Sequence, residues 1–355
     1  MSVGARRACW LAIAALWVCA PQAYAQLVGH TEQEQAGEVL PAAGAYLSRL
    51  GDTWDQTSDF VQGCLPTVTE NAGCWTATAD TLFLGRHDPR PQEVMYDVAL
   101  PSRNLNAAEF QLGFQPGVDI SLWRRLSLDN SLEIRGFIID EWGASATTPT
   151  TSGDLLEFHA VQPVNTRAGS SVDSKFGSKL YDFEINGHCQ LTERWSALAG
   201  FRYLELDERI TATVVGGRTP FVYNIGTDNR LYGFQLGLQR TMWDQGGPLV
   251  IDWGGTAGIY GNRAVNTSYF STGRVTIPGY AKTSPSAFVG EMGVTGRYRF
   301  TERLSARFGY RILWIEQVAL ASDQIPQTDF ILDSSITANR EATYQGVFLG
   351  LQFVH

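Results

Sequence analysis

Tyr344-Gln-Gly-Val-Phe-Leu-Gly-Leu-Gln-Phe353-Val-His355 decides the fold. In an extended chain Leu349, Leu351 and Phe353 share one face, and Gly350 and Gln352 share the other. A strand that is apolar on one side only, running into the C-terminus, suits an outer-membrane β-barrel. There the last strand must close against the first and face lipid on one side. Leu349, Leu351 and Phe353 are therefore the expected C-terminal insertion strand.

The other end of the chain agrees. Arg6 and Arg7 precede an apolar run, Ala8 to Ala20, and Ala23-Tyr24-Ala25 supplies small residues for cleavage. Residues 1–25 read as a secretory signal peptide. Cys19 is preceded by Trp17 and Val18, a poor match to a lipoprotein site, so cleavage is expected after Ala25. No later run reaches the ~18 apolar residues of a membrane-spanning helix, which leaves a soluble fold or a barrel. Gly 36, Trp 10, Tyr 13 and Phe 18 in 355 residues is a β-rich, aromatic-rich profile. The formal charge is −9, and loss of Arg6 and Arg7 takes the mature chain to −11 (−9 − 2). That balance argues against a general nucleic-acid partner. Three cysteines survive cleavage, and Cys64 and Cys74 are close enough in an exported chain to form a disulfide. Cys189 follows Ile185 and Gly187 on an apolar face and reads as a small lipid-facing residue.

Working back from the C-terminus, period-two alternation recurs in ten segments: 75–85, 108–123, 130–142, 176–190, 194–208, 228–241, 249–264, 286–299, 303–320 and 343–355. In the clearest, Leu304, Ala306, Phe308, Tyr310, Ile312 and Trp314 oppose Ser305, Arg307, Gly309 and Arg311. The connections alternate in length. Those at 86–107, 143–175, 209–227, 265–285 and 321–342 are long, and those at 124–129, 191–193, 242–248 and 300–302 are short. Short periplasmic turns and long outer loops are the rhythm of a membrane barrel, and a soluble sandwich has no cause to keep it. The expected fold is all-β: a transmembrane up-and-down antiparallel barrel of about ten strands over 75–355. Residues 26–74 are polar and too short to bury much of a core, and read as a periplasmic N-terminal tail.

The hairpins carry words of a known family. Gly117-Val-Asp-Ile-Ser-Leu122 leads through Arg124-Arg-Leu-Ser-Leu-Asp-Asn-Ser-Leu-Glu-Ile-Arg135 to Asp140-Glu-Trp142. Leu180-Tyr-Asp-Phe-Glu-Ile-Asn186, Leu198-Ala-Gly-Phe-Arg-Tyr-Leu-Glu-Leu-Asp-Glu208 and Thr227-Asp-Asn-Arg-Leu-Tyr-Gly-Phe-Gln-Leu-Gly237 follow, with Ala257-Gly-Ile-Tyr260. The last are Phe288-Val-Gly-Glu-Met-Gly293, Gly309-Tyr-Arg-Ile-Leu-Trp314 and Val318-Ala-Leu-Ala321. From about Trp75 to the C-terminus the chain resembles the planctomycete outer-membrane β-barrel protein family (BBP-type). The resemblance implies an exported barrel and brings no catalytic residues. Val354 and His355 after Phe353 depart from the usual barrel ending.

If the apolar faces meet lipid, the lumen receives Asp119, Glu133, Asp182, Glu184, Asp252 and Glu291. It also receives Arg135, Arg202, Arg297, Arg299, Arg307 and Arg311. The interior of a ring of about ten strands is narrow, so opposed carboxylates and guanidiniums should pair. Such pairs either fill the lumen and hold the barrel's shape or leave a constriction for small polar solutes. Trp142, Trp195, Trp314, Tyr203, Tyr298 and Phe300 are candidates for interfacial girdles.

Enzyme chemistry finds little support. His87-Asp88 on the first long loop, and His159 near Asp154 on the second, are the candidates for water activation at the outer rim. No metal-ligand spacing, phosphate loop or serine elbow stands out, and no cofactor or metal is expected. The expected function is a porin-like structural barrel or narrow passive pore in the outer membrane. A surface interaction module acting through the outer loops is the alternative, and a rim hydrolase a remote one. The expected partners are outer-membrane lipid and, during insertion, the barrel-assembly machinery.

Overall fold

The computed structural model describes residues 74–150, 155–167, 169–217, 220–331 and 334–355. The expected signal peptide and, Cys74 apart, the expected tail lie outside the described residues. The first strands are β1 (Trp75–Arg86), β2 (Glu93–Asp97), β3 (Leu105–Asn106), β4 (Phe114–Arg125) and β5 (Asn130–Pro149). Next come β6 (Leu155–Glu157), β7 (Val164–Asn165), β8 (Ser171–Gln190), β9 (Trp195–Val215) and β10 (Phe221–Asp244). The order ends with β11 (Leu249–Ser271), β12 (Thr276–Thr283), β13 (Ser286–Arg299), β14 (Leu304–Val318) and β15 (Arg340–Val354).

Ten of these strands close an antiparallel ring in the order β1-β4-β5-β8-β9-β10-β11-β13-β14-β15. The ring closes where β15 meets β1, in register from Thr76 opposite Val354 to Arg86 opposite Tyr344. Closure leaves no free edge in the ring. Leu349, Leu351 and Phe353 face outward, as do Val118, Ile120 and Leu122 on β4 and Ile134 and Ile138 on β5. Gly350 faces inward because Asp80 lies opposite it across the seam. A Cβ at Gly350 would meet the Ala79 carbonyl oxygen and the Asp80 carboxylate.

Turn chemistry at one end of the barrel repeats. Thr192-Glu-Arg194 and Thr301-Glu-Arg303 start two of the short turns, and each threonine hydroxyl accepts a backbone N–H three residues on, from Trp195 at 3.1 Å and Leu304 at 3.0 Å. Ser127 does the same for Asn130 at 3.1 Å. A hydroxyl in this position tightens a turn that leaves few residues between strands.

At the other end the strands run further than alternation alone suggests. Most of the expected long connection 209–227 is strand, because β9 runs to Val215, β10 starts at Phe221, and the two stay paired up to Val214 opposite Phe221. Much of 265–285 is strand as well, since β11 continues to Ser271 and β12 pairs with it. The first, second and last long connections instead fold inward. Strands β3, β2, β6 and β7 make a small sheet from the first two, and their Val94, Met95, Leu105, Phe110, Leu156 and Phe158 join one buried cluster with Leu84, Phe137, Leu206 and Leu313 of the barrel wall.

The last connection forms a strap across the mouth. It leaves β14 at a bulge where Gln317 adopts a left-handed φ of 61°. Asn229 then holds Ala319 from both sides: its Nδ2 donates to the carbonyl at 2.7 Å and its Oδ1 accepts the N–H at 2.8 Å. Asn262 donates to the Gln317 carbonyl at 2.9 Å, and Glu208 accepts the Ala321 N–H at 3.0 Å. Amide side chains suit this role, because each can satisfy backbone groups that water no longer reaches.

Trp142 corrects a sequence expectation. One extra residue in β5, between Ile139 and Trp142, reverses the alternation. Trp142 is therefore fully buried inside, with its indole N–H donating to the Leu84 carbonyl at 3.1 Å, and is not a girdle residue.

Gly350→Val should stop β15 from seating on β1. The expected result is loss of the heat-modifiable, fast-migrating gel band of the folded barrel, with overpacking costing at least ~1–3 kcal/mol.

Candidate functional site: the barrel lumen

Along its axis the lumen has three layers. At the short-turn end lies a vestibule of about 670 Å³, lined among others by Thr76, Ser121, Trp123, Glu133, His188, Gln239 and Asp252. Its lining includes strand-end residues Arg125, Gln190 and Val354, so it opens toward that end. On its wall His188 Nε2 lies 2.9 Å from a Glu133 carboxylate oxygen, and the His188 and Trp123 rings are 4.2 Å apart.

The second layer is an ionic septum. β5 and β13 stand on opposite sides of the ten-strand ring, yet Arg135 reaches Glu291 at 3.1 Å. Arg135 also meets Asp119 at 2.9 Å and Glu184 at 3.0 Å. Arg202 meets Asp182 at 2.6 Å and Glu291 at 2.9 Å, and Arg311 meets Asp119 at 2.7 Å and Glu291 at 3.2 Å. Glu291 thus receives three guanidiniums from three different strands. Gln235 and Asn186 complete the layer: Gln235 Nε2 donates to Glu184 at 2.6 Å, and Asn186 Nδ2 donates to Glu184 at 2.9 Å. Removing charges from water costs several kcal/mol per ion, and the attraction offsets this only when further hydrogen bonds fill the remaining positions. Gln235 and Asn186 provide them for Glu184, while Asp182 Oδ1 and Arg311 Nη1 are buried without a partner among the described residues.

Above the septum the wall turns apolar. Leu82, Ile139, Leu180, Leu204, Leu231, Val289 and Ile315 are all buried, and the inward-folded loops lie among them. One ion pair is embedded in this third layer. Arg86 of β1 pairs with Glu208 of β9 across the lumen, and its guanidinium lies 5.4 Å from the Phe176 ring centroid. Glu208 is also the acceptor for the strap, so this pair ties two walls and the strap together.

Eleven of the twelve charges expected in the lumen take part in these layers or line the vestibule. Arg297 pairs with Asp252 at 2.7 Å and Arg307 with Asp80 at 3.2 Å, both toward the open end. Arg299 is the exception: it is exposed at the end of β13 and does not line the cavity. It has the right parity but sits one step beyond the wall. Asp80, Arg86, Glu208, Asn229 and Gln235 were not singled out from the sequence, although each is inward by the same alternation. Asp80 lies directly opposite Asp119 on β4, a like-charge pair that Arg307 and Arg311 hold together.

The cysteines also differ from expectation. Cys74 is a free thiol, which excludes the Cys64–Cys74 bridge, and Cys64 lies outside the described residues. Cys189 is disulfide-bonded and is not merely a small lipid-facing residue. Spacing alone does not determine disulfide connectivity. At the rim His87 is exposed, and Asp88 is occupied in accepting the Leu112 N–H at 2.9 Å. His159 is exposed, and Asp154 lies outside the described residues. No group of His, Cys, Asp and Glu suited to a metal occurs among the described residues.

The sequence pattern of the family described as Putative beta barrel porin-7 (BBP7) matches residues 144–343. No curated protein matches the chain. Among solved structures it is similar to the outer membrane protease OmpT from Escherichia coli, with 10% identity, 81% of this chain and 99% of that one covered, and a TM-score of 0.45. It is also similar to the translocator domain of the autotransporter NalP from Neisseria meningitidis (7% identity, 85% and 97% covered, TM-score 0.39). A third is a TodX mutant, a monoaromatic hydrocarbon channel (10% identity, 80% and 90% covered, TM-score 0.33).

Glu291→Gln should leave Arg135, Arg202 and Arg311 facing one another without their shared carboxylate. A loss of about 3–5 kcal/mol is expected, read as a lower denaturant midpoint in tryptophan fluorescence of the vesicle-inserted barrel.

Proposed function

The chain belongs to the BBP7 family, and we propose that it acts in the outer membrane as a closed structural barrel. Solute enters the vestibule from the periplasm and stops at the septum. The observation that carries this reading is the contact of Arg135 with Glu291 from opposite walls, at 3.1 Å. A second barrier lies above it, since the inward loops fill the outer half with apolar side chains. An ion at that level would find few groups to replace its water. A ten-stranded ring leaves room for side chains rather than for an aqueous channel, in contrast to porins of sixteen or more strands.

The narrow passive pore is the same barrel with the septum parted and the strap displaced. The surface-module reading has less support, because Val94, Met95, Phe110, Leu156 and Phe158 of the long loops are spent inside the barrel and not displayed. A non-catalytic role fits the rim, where the Asp88 carboxylate caps a loop backbone instead of facing His87 as a catalytic pair. Outward Leu349, Leu351 and Phe353 support outer-membrane lipid as the lasting partner and the barrel-assembly machinery as the transient one. The resemblance to planctomycete barrels supports a planctomycete envelope as its setting.

Planar-bilayer recording separates closed from open. The wild-type chain should add no unitary conductance steps even at high protein load. Stable steps of uniform size would overturn the closed reading and favour the pore.

A further inference from the structure

The outward face of strands β8 to β11 is ordered in rows that cross neighbouring strands. One row is Ile185, Phe201, Phe234 and Ile259, with the Phe201 and Phe234 rings edge to face at 5.9 Å. The next row toward the outer end is Phe183, Tyr203, Tyr232 and Gly261, and the Tyr232 ring lies against Gly261, where a Cβ would be 3.3 Å from it. These rows are apolar and then aromatic, the sequence that marks the edge of the lipid band.

The row immediately above is Tyr181, Glu205, Arg230 and Arg263. Arg230 and Arg263 are directly opposite each other on β10 and β11. Like charges in that position repel and weaken a sheet. Glu205 relieves only one of them: it accepts from Arg230 at 3.4 Å and from the Tyr203 hydroxyl at 2.9 Å. Arg263 is exposed. The following row holds Lys179, Asp207, Asp228, Val265 and Lys282, so its two acids are flanked by two lysines.

We infer that Arg263 and Arg230, the latter oriented by Glu205 with Tyr203 behind it, bind a phosphate-bearing headgroup of an outer-leaflet lipid. A phosphate offers several acceptor oxygens to two guanidinium forks and removes the repulsion between them. Strands stand ~4.8 Å apart, so one phosphate reaches both side chains. The lipid source follows from what lies beneath. Ile259, Phe234 and Phe201 are exposed two rows below the arginines, beyond Tyr232 and Gly261, and an acyl chain attached to the bound headgroup would run down over them. Free phosphate has nothing to place there. This inference concerns the outer wall, and it stands whether the lumen is closed or open.

The test uses the full chain refolded into phosphatidylcholine vesicles. Diphosphorylated lipid A is compared with the same glycolipid stripped of its phosphates and with inorganic phosphate. The diphosphorylated lipid should raise the temperature at which the folded gel band converts to the unfolded one. It should lose at least tenfold in affinity for Arg230→Gln/Arg263→Gln, scored by native mass spectrometry. Higher ionic strength should weaken the binding. Arg90→Gln/Arg274→Gln, which removes equal charge from the outer loops, should bind as the wild type does. An unchanged affinity in the Arg230/Arg263 variant would overturn the site. So would an equal effect of the stripped lipid, and inorganic phosphate reproducing the shift would reassign it to a free anion. If the double variant does not fold, Arg263→Gln alone should still weaken binding, since Arg263 makes no bond across the lumen.

Discussion

A charge that points into a ten-stranded ring has no bulk water to turn to, and must find its partner across the ring. The middle of this barrel follows from that constraint. Arg135, Arg202 and Arg311 converge on Glu291 from three strands, and Asp119 and Glu184 share the same guanidiniums. Such a layer is costly to build and more costly to break, because loss of one partner leaves the others buried and unpaired. It ties opposite walls together, and it is the contact on which the proposed closure of the vestibule rests.

The layer above depends on a different principle. Beyond the septum the inner face of the strands becomes apolar, and apolar wall needs something apolar to cover it. The outer loops supply that cover. Folding inward, they carry backbone N–H and C=O groups into the barrel, and these must be satisfied there. Asn229, Asn262 and Glu208 do so from the wall. Apolar loop side chains and polar wall side chains are thus two halves of one arrangement. The outward surface has its own layering, apolar below, aromatic at the edge and charged above. Membrane depth is therefore written on both faces of the same strands.

Alternation carried most of the fold. It identified ten strands, the inward and outward residues of each, and the place of the last strand at the seam. It failed where the count of residues between strands changed. The bulge after Ile139 turned Trp142 inward, and no feature of Asp140-Glu-Trp142 marks an extra residue. The closed outer half was legible in principle. Leu82 and Leu84, Leu204 and Leu206, and Leu313 and Ile315 make those strands apolar on their inner face near the outer end, which a water-filled lumen would not favour. The matching signal was Val94, Met95, Phe110, Leu156 and Phe158 in segments otherwise read as outer loops. Pairing of the charges followed from geometry, but which partners met did not, since each guanidinium reaches several strands. The disulfide of Cys189 was illegible because spacing does not choose between cysteines.

The central claim is that the septum divides the lumen into a wet part and a dry part. Thiol labelling of variants that each carry one introduced cysteine in a Cys74→Ser background tests it most directly. An impermeant maleimide added to both sides of the vesicle-inserted barrel should label Ser131→Cys and Ser196→Cys, which line the vestibule. Val289→Cys and Ile315→Cys, paired with each other on β13 and β14 on the far side of Glu291, should remain unlabelled in the folded protein and react once it is unfolded. Comparable labelling of both sets in the folded barrel would contradict the account.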